Sequence, residues 1–171
     1  MKSYSHIDQK KNIQILLKKI SLIKKIISTN VVGSFSEKKD IKKIGDLDLV
    51  IISKSIDKSL VIKCKKIIKN NNFKINKKLK INDTFGPLKY DKEEYFTVHL
   101  MIYDIDGHIN HCIKSPFTSF DWERKKIYTG KSLSEIYSVN NLQLDDFFYS
   151  RRSINNHLND LRKKKISAYS Y

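Results

Sequence analysis

The sequence has no long hydrophobic run. Its longest apolar stretches, such as LVII at residues 49–52, fall far short of the 18 or so residues that a membrane-spanning helix requires. The opening residues, MKSYSHIDQKKN, also lack the apolar segment of a secretory signal peptide. We therefore expect a cytoplasmic, intracellular protein that has no membrane among its partners.

Cysteine is nearly absent. The two cysteines, Cys64 and Cys112, form no CxxC pair, and no disulfide framework follows from their positions. We expect both to be ordinary, half-buried thiols.

Acidic residues are scarce relative to basic ones. Lys and Arg total 34 against 18 Asp and Glu, which gives a formal net charge of +16. Such a surface attracts phosphates, so a nucleic acid is a candidate partner. Only four of the basic residues are Arg, and Lys is enriched together with Ile and Asn, as in KIIKNNNFKINKKLKIN. An A/T-biased coding sequence produces this composition, so charge alone does not assign the partner.

Hydrophobic periodicity predicts a single domain of helices and strands. A chain of 171 residues, 40% of them hydrophobic, has the size and core content of one domain. The predicted elements are a helix over 8–29, a strand over 46–52, a helix over 57–71, a strand over 73–81, a loop over 82–94, a strand over 95–104 joined by a hairpin at Asp106-Gly107 to residues 108–114, and helix from about 141 to 165. This order predicts an α+β fold, a mixed sheet with flanking helices. Residues 1–140 would form the domain, and residues 141–171 a basic helical extension packed on it.

The segment VVGSFSEKKDIKKIGDLDLVII, residues 31–52, contains the residues best suited to chemistry. Asp46 and Asp48 are two apart on a predicted strand, so their carboxylates project from one face. Adjacent carboxylates repel each other unless cations lie between them, and oxygen ligands favour Mg²⁺ or Mn²⁺. Two such ions ~4 Å apart would activate an attacking oxygen and neutralise a triphosphate. At Gly33-Ser34, a backbone amide and a hydroxyl can approach phosphate oxygens closely.

An aliphatic pair, Gly33-Ser34, eleven intervening residues and then Asp46-Leu-Asp48-Leu resemble the signature of the DNA polymerase β-like nucleotidyltransferase superfamily. The resemblance covers about residues 8–104 and implies that family's palm fold. It also implies transfer of a nucleoside monophosphate from a nucleoside triphosphate to a hydroxyl of a nucleic acid, a protein or a small molecule. By the resemblance, Gly33 and Ser34 would hold the nucleotide's phosphates, and Asp46 and Asp48 would bind two Mg²⁺ or Mn²⁺ ions.

The third carboxylate of that family has no plain counterpart here. In the strand FTVHLMIYD the matching position is His99, and Asp104 is the nearest acid. On a regular strand these two residues have opposite parity, so only one of them can face Asp46 and Asp48. Either His99 or Asp104 is the third ligand, or the site is degenerate. In the last case the chain would be a non-catalytic module that binds nucleotide or RNA.

Three further groups of residues have alternative interpretations. His108, His111 and Cys112, with His99, suggest zinc ligands, but HxxHC matches no common structural-zinc spacing. The lysines of residues 37–43 suit either a triphosphate or a solvated helix face. The aromatic residues of 115–137 suit base stacking or, more simply, a hydrophobic cluster that covers the sheet; they are Phe117, Phe120, Trp122 and Tyr128.

Overall fold

The computed structural model describes residues 6–37, 46–73, 77–82 and 94–139, together with residues 142 and 145. Six helices and five strands lie in these ranges. In chain order they are α1 (His6–Ser21), β1 (Ile26–Val32), α2 (Ser34–Glu37), β2 (Asp46–Ser53), α3 (Lys58–Lys69), β3 (Lys78–Asn82), β4 (Tyr95–Asp104), α4 (Ile105–Lys114), α5 (Pro116–Trp122), β5 (Ile127–Gly130) and α6 (Leu133–Ile136). None of the described helices is long and apolar enough to cross a membrane.

The five strands form one mixed sheet. Its order is β3-β4-β2-β1-β5, so β2 is the central strand. Strand β4 runs parallel to both β2 and β3, whereas β1 runs antiparallel to both β2 and β5. The predicted α+β fold, a mixed sheet flanked by helices, is confirmed.

The sheet has an apolar core on each face. The first core joins α1 and α3 to one face, and its sheet residues are Val31, Leu47, Leu49, Ile51, Phe96, Val98 and Leu100. The second core joins α5 and α6 to the other face through Val32, Val50, Ile52 and Met101, against Trp122 and Leu133. Because side chains alternate along a strand, the even-numbered residues of β2 face the second core. Asp46 and Asp48 are among these residues, beyond the apolar part of that face.

The predicted helix over 8–29 is wrong in its last third. Helix α1 ends at Ser21, whose hydroxyl donates to the Lys18 carbonyl at 2.8 Å. The chain then forms β1, which pairs with strands on both sides. Its residues Ile26 and Ile27 fit the helical spacing, but β-branched side chains also suit a strand. The segment forms a strand because it pairs with neighbouring strands in the sheet.

The predicted hairpin at Asp106-Gly107 is also wrong. These residues lie in the first turn of α4, which follows β4 directly. Asp104 is the N-cap, and its carboxylate accepts a hydrogen bond from the Gly107 amide at 2.7 Å. An Asp at the N-cap accepts a hydrogen bond from the backbone amide three residues later. The segment after Asp104 is therefore as compatible with the start of a helix as Asp106-Gly107 is with a turn.

The other helices and strands predicted within the described residues are present, most of them with shifted bounds. Helix α3 has the expected N-cap, since the Leu60 amide donates to Asp57 at 2.7 Å. Strand β4 has its predicted bounds, and β3 begins at Lys78 rather than at residue 73. Both cysteines are buried rather than half-buried, and burial raises the pKa of the Cys64 thiol to about 11. Residues 83–93 of the predicted loop and the lysines of 38–43 lie outside the described residues. So does the predicted 141–165 helix, apart from residues 142 and 145.

Candidate metal centre

Asp46, Asp48 and His99 converge on one face of the sheet. One potential ligand atom from each lies within 4.8 Å of the other two. The pairing of parallel strands accounts for this, because Asp48 is directly opposite His99, and Asp46 precedes Asp48 by two residues. His99 Nε2 lies 3.9 Å from Asp46 Oδ2. The sequence prediction that the two acids share a face of a strand is therefore met by the geometry.

The three side chains differ in their access to solvent. The His99 side chain is 1% exposed, whereas that of Asp46 is 25% exposed, and Asp48 is partly buried. The imidazole therefore lies at the base of the group, and the carboxylates lie at its open side. Two carboxylate oxygens and one imidazole nitrogen form a donor set that suits a divalent cation entering from solvent.

Gly33 lies directly against this group. Its φ is +69°, and a Cβ at this position would lie 2.2 Å from Asp48 Oδ2. The contact arises because Val32 at the end of β1 pairs with Asp48, which leaves Gly33 one residue beyond the pair. Ser34, partly buried, follows as the first residue of α2. The four residues of the predicted motif are thus brought to the same end of β1 and β2.

Asp104 is not part of this group. It pairs with Ser53 at the far end of β2, five positions along β4 from His99. Its carboxylate caps α4. Of the two residues predicted as the third ligand, only His99 is near the acid pair.

The suggested zinc ligands do not come together with His99. Among the described residues, Asp46, Asp48 and His99 form the only group of this kind. Cys112 Sγ contacts the His108 ring at 3.7 Å along α4, and the His111 ring stacks on Trp122 with centroids 4.7 Å apart. Burial lowers the pKa of both histidines, so both favour the neutral form. These residues belong to the packing around the second core.

Of the four aromatic residues named in segment 115–137, Trp122 is the one that belongs to the second core. Trp122 is 5% exposed within that core, and Phe117 and Phe120 are partly buried. Tyr128 on β5 is 44% exposed. Trp122 therefore fits the interpretation of this segment as a hydrophobic cluster that covers the sheet.

Several polar residues of the same sheet face were not predicted as part of the site. Thr97 is fully buried and pairs with Asp46, and Asn82 pairs with His99. On the other side, the buried Asn30 donates through Nδ2 to Ser28 Oγ at 2.7 Å. The local sequence contains no signal for these neighbours, because strand order and register bring them together.

The candidate centre therefore consists of two carboxylates and an imidazole, with a glycine turn packed against one carboxylate. Comparison of the chain with known protein families, with curated proteins and with solved structures finds no match.

Proposed function

We propose that the chain is a metal-dependent nucleotidyltransferase with a polymerase β-like palm fold. It would transfer a nucleoside monophosphate from a nucleoside triphosphate to a hydroxyl group. The observation that carries the proposal is the convergence of Asp46, Asp48 and His99 within 4.8 Å, beside the Gly33 turn. If the two acids were only solvated surface residues, we would not expect a buried imidazole beneath them or a glycine packed against one carboxylate.

The reaction balances without a further co-reactant. The acceptor hydroxyl oxygen forms a bond to the α-phosphorus, and the bond from that phosphorus to the bridging oxygen breaks. Pyrophosphate leaves with the bonding electron pair. The hydroxyl proton passes to the Asp46 carboxylate or to water. The Asp46 side chain is 25% exposed, so its carboxylate is accessible to that proton.

The metal-holding residues would be Asp46, Asp48 and His99. When bound, one or two divalent ions supply positive charge that offsets the charge of the triphosphate and activates the acceptor oxygen. The mixed donor set favours Mn²⁺ over Mg²⁺, because nitrogen ligands bind the softer ion better.

The Gly33-Ser34 turn would receive the triphosphate. Gly33 presents backbone without a side chain next to Asp48, and the partly exposed Ser34 supplies a hydroxyl. A phosphate held here would lie beside the Asp48 carboxylate, one of the residues that would hold the ions.

Binding of Mn²⁺ and of Mn²⁺ with each nucleoside triphosphate, measured by calorimetry, tests the site. Asp46→Asn and Asp48→Asn should abolish the Mn²⁺ signal without unfolding the chain, because partly exposed carboxylates contribute little to stability. Asp106→Asn is the matched control, since Asp106 is an exposed acid in the first turn of α4. Unchanged Mn²⁺ affinity in both site variants would refute the metal centre.

Incubation with labelled triphosphates, Mn²⁺ and separate RNA, DNA, protein and small-molecule acceptors tests the transfer. Label should appear in one acceptor class and should disappear in the Asp46→Asn variant.

A second candidate is a degenerate module that binds nucleotide or RNA without transfer. The observation that favours it is the lack of a third carboxylate among the described residues of the group, because His99 is an imidazole and Asp104 caps α4 at the far end of β4. This module would bind Mn²⁺ with a nucleotide and label no acceptor.

A further inference from the structure

The edge strand β3 has two chemically different faces. Leu79 and Ile81 pack against the first core. The alternate residues Lys78, Lys80 and Asn82 therefore project from the opposite face of the sheet. This is the face of the candidate metal centre.

Strand register places these residues in rows with the centre. Lys80 pairs with Thr97, which pairs with Asp46, and Asn82 pairs with His99, which pairs with Asp48. Two strand spacings separate the first and last members of each row, about 10 Å between their backbones. The row of Lys80 thus runs from the sheet edge to the acid pair.

The charges of Lys78 and Lys80 are not used within the described fold. Both side chains are exposed, and neither makes an ion pair in the part of the chain that the structure describes. Elsewhere lysines do pair with acids, as Lys125 does with Asp121 at 2.8 Å. The backbones of the two lysines are about 6.7 Å apart along the strand, and both ammonium groups are available for a ligand of repeated negative charge.

We propose that β3 binds the phosphodiester backbone of a single-stranded nucleic acid, whose terminal hydroxyl lies at Asp46 and Asp48. The identity of that hydroxyl as the acceptor rests on the proposed nucleotidyl transfer, whereas the binding surface does not. Phosphates near Lys78 and Lys80 gain charge-assisted contacts and release counterions. The two carboxylates have the same sign of charge as that backbone, and a bound divalent cation would offset it. Strand binding therefore increases when the centre is loaded.

Anisotropy of a 5′-fluorescein-labelled oligonucleotide across a salt series tests this surface directly, with single-stranded RNA and DNA as separate arms. The double variant Lys78→Gln, Lys80→Gln should weaken binding several-fold. It should also reduce the slope of log affinity against log salt by about 1.4, since each phosphate contact on a single strand contributes about 0.7. The control is Lys66→Gln, Lys69→Gln, which removes two exposed lysines from α3, the helix packed on the opposite face of the sheet.

A second variant separates phosphate binding from protection of the sheet edge, because edge lysines also discourage strand pairing between molecules. Lys78→Glu, Lys80→Glu keeps the edge charged, so it should remain monomeric on size exclusion and lose more oligonucleotide affinity than the Gln variant. Equal affinity in the wild type and in this variant would overturn the proposal. So would an effect of either variant on nucleoside triphosphate binding with none on oligonucleotide binding.

Variants of Asp46 and Asp48 test whether the bound nucleic acid extends from β3 to the candidate metal centre. In EDTA at low salt, Asp46→Asn with Asp48→Asn should bind the oligonucleotide more tightly than the wild type, because two repelling charges are removed. Mn²⁺ should then raise affinity in the wild type and leave this variant unchanged. If the wild type binds Mn²⁺ and nucleotide but the Lys variants bind strands normally, only the β3 surface is refuted. If Mn²⁺ and nucleotide do not bind but the Lys variants lose strand affinity, only the proposed transfer is refuted.

Discussion

The carboxylate of Asp48 lies against the α-carbon of Gly33, so closely that a methyl group added there would lie 2.2 Å from Oδ2. The two residues meet because β1 ends at the pair of Val32 with Asp48. Position 33 therefore requires a residue that adopts a φ of +69° and leaves space beside the Asp48 carboxylate.

Gly33→Ala should abolish Mn²⁺ binding by displacing the Asp48 carboxylate. It should also lower the free energy of unfolding by about 1–2 kcal/mol, the cost of the left-handed backbone for a residue with a Cβ. Gly130→Ala is the control, since Gly130 has φ of +87° and an equally close contact, but with the Ile27 carbonyl. Calorimetry with chemical denaturation should find stability reduced in both variants and Mn²⁺ binding lost only in the first. Normal Mn²⁺ affinity in Gly33→Ala would show that Asp48 is not a ligand in its observed position.

His99→Asp should shift the metal preference from Mn²⁺ towards Mg²⁺, because it replaces a nitrogen donor with a third carboxylate. Without metal this variant should be less stable than the wild type, since the new charge lies where His99 is 1% exposed. The increase in melting temperature on adding Mg²⁺ should accordingly be larger than in the wild type. His99→Asn, which removes the imidazole without adding charge, should show no such gain. Acceptor labelling by His99→Asp alone, with an inert wild type, would favour the degenerate module.

Asp104→Ala should reduce stability by about 1 kcal/mol through loss of the N-cap of α4, with Mn²⁺ affinity unchanged. Asp104→Asn should keep most of that stability, because Asn also caps helices well. Urea denaturation with Mn²⁺ titration checks both. Loss of Mn²⁺ binding in a fully stable Asp104→Ala variant would instead identify Asp104 as a ligand.

The free energy of unfolding should fall as the pH drops below about 6.5. Burial lowers the pKa of His108 and of His111 in the folded chain. Between the lowered pKa and the ordinary histidine pKa, the unfolded chain therefore binds more protons than the folded chain. The stability from these neutral histidines is fully present above this pH range and decreases as the pH falls through it. Each histidine contributes a slope of up to about 1.4 kcal/mol per pH unit. His111→Phe retains a ring against Trp122 and should reduce the slope in urea titrations; an unchanged slope would show that His111 does not contribute.

Much of the fold could be predicted from the sequence where periodicity and side-chain type agree. Strand β4 is rich in β-branched and aromatic residues and has its predicted bounds, and α3 combines a helical stripe with the Asp57 cap. Prediction failed where one pattern fits two structures. Ile26 and Ile27 continue the stripe of α1, yet lie in β1, because the pairing of β1 with β2 and β5 is a long-range contact that local spacing does not encode.

The candidate site was predictable only as far as it is local. Asp46 and Asp48 share a face by alternation alone, and Gly33-Ser34 precedes them at a recognisable spacing. The selection of His99 over Asp104 required the register of β4 against β2, which places His99 opposite Asp48 and Asp104 opposite Ser53. Thr97 and Lys80 required the register of three strands.

The core residues and the two acids of strand β2 differ in what a substitution would affect. Its odd positions, Leu47, Leu49 and Ile51, are fully buried and hold the first core together. Two of its even positions are the partly buried Asp46 and Asp48, where a substitution would remove the proposed metal ligands at little cost to folding. A lineage could thus lose the centre in one mutational step and still inherit a folded protein. The persistence of this fold in a relative would therefore not be evidence of activity unless acids were also present at the positions of Asp46 and Asp48.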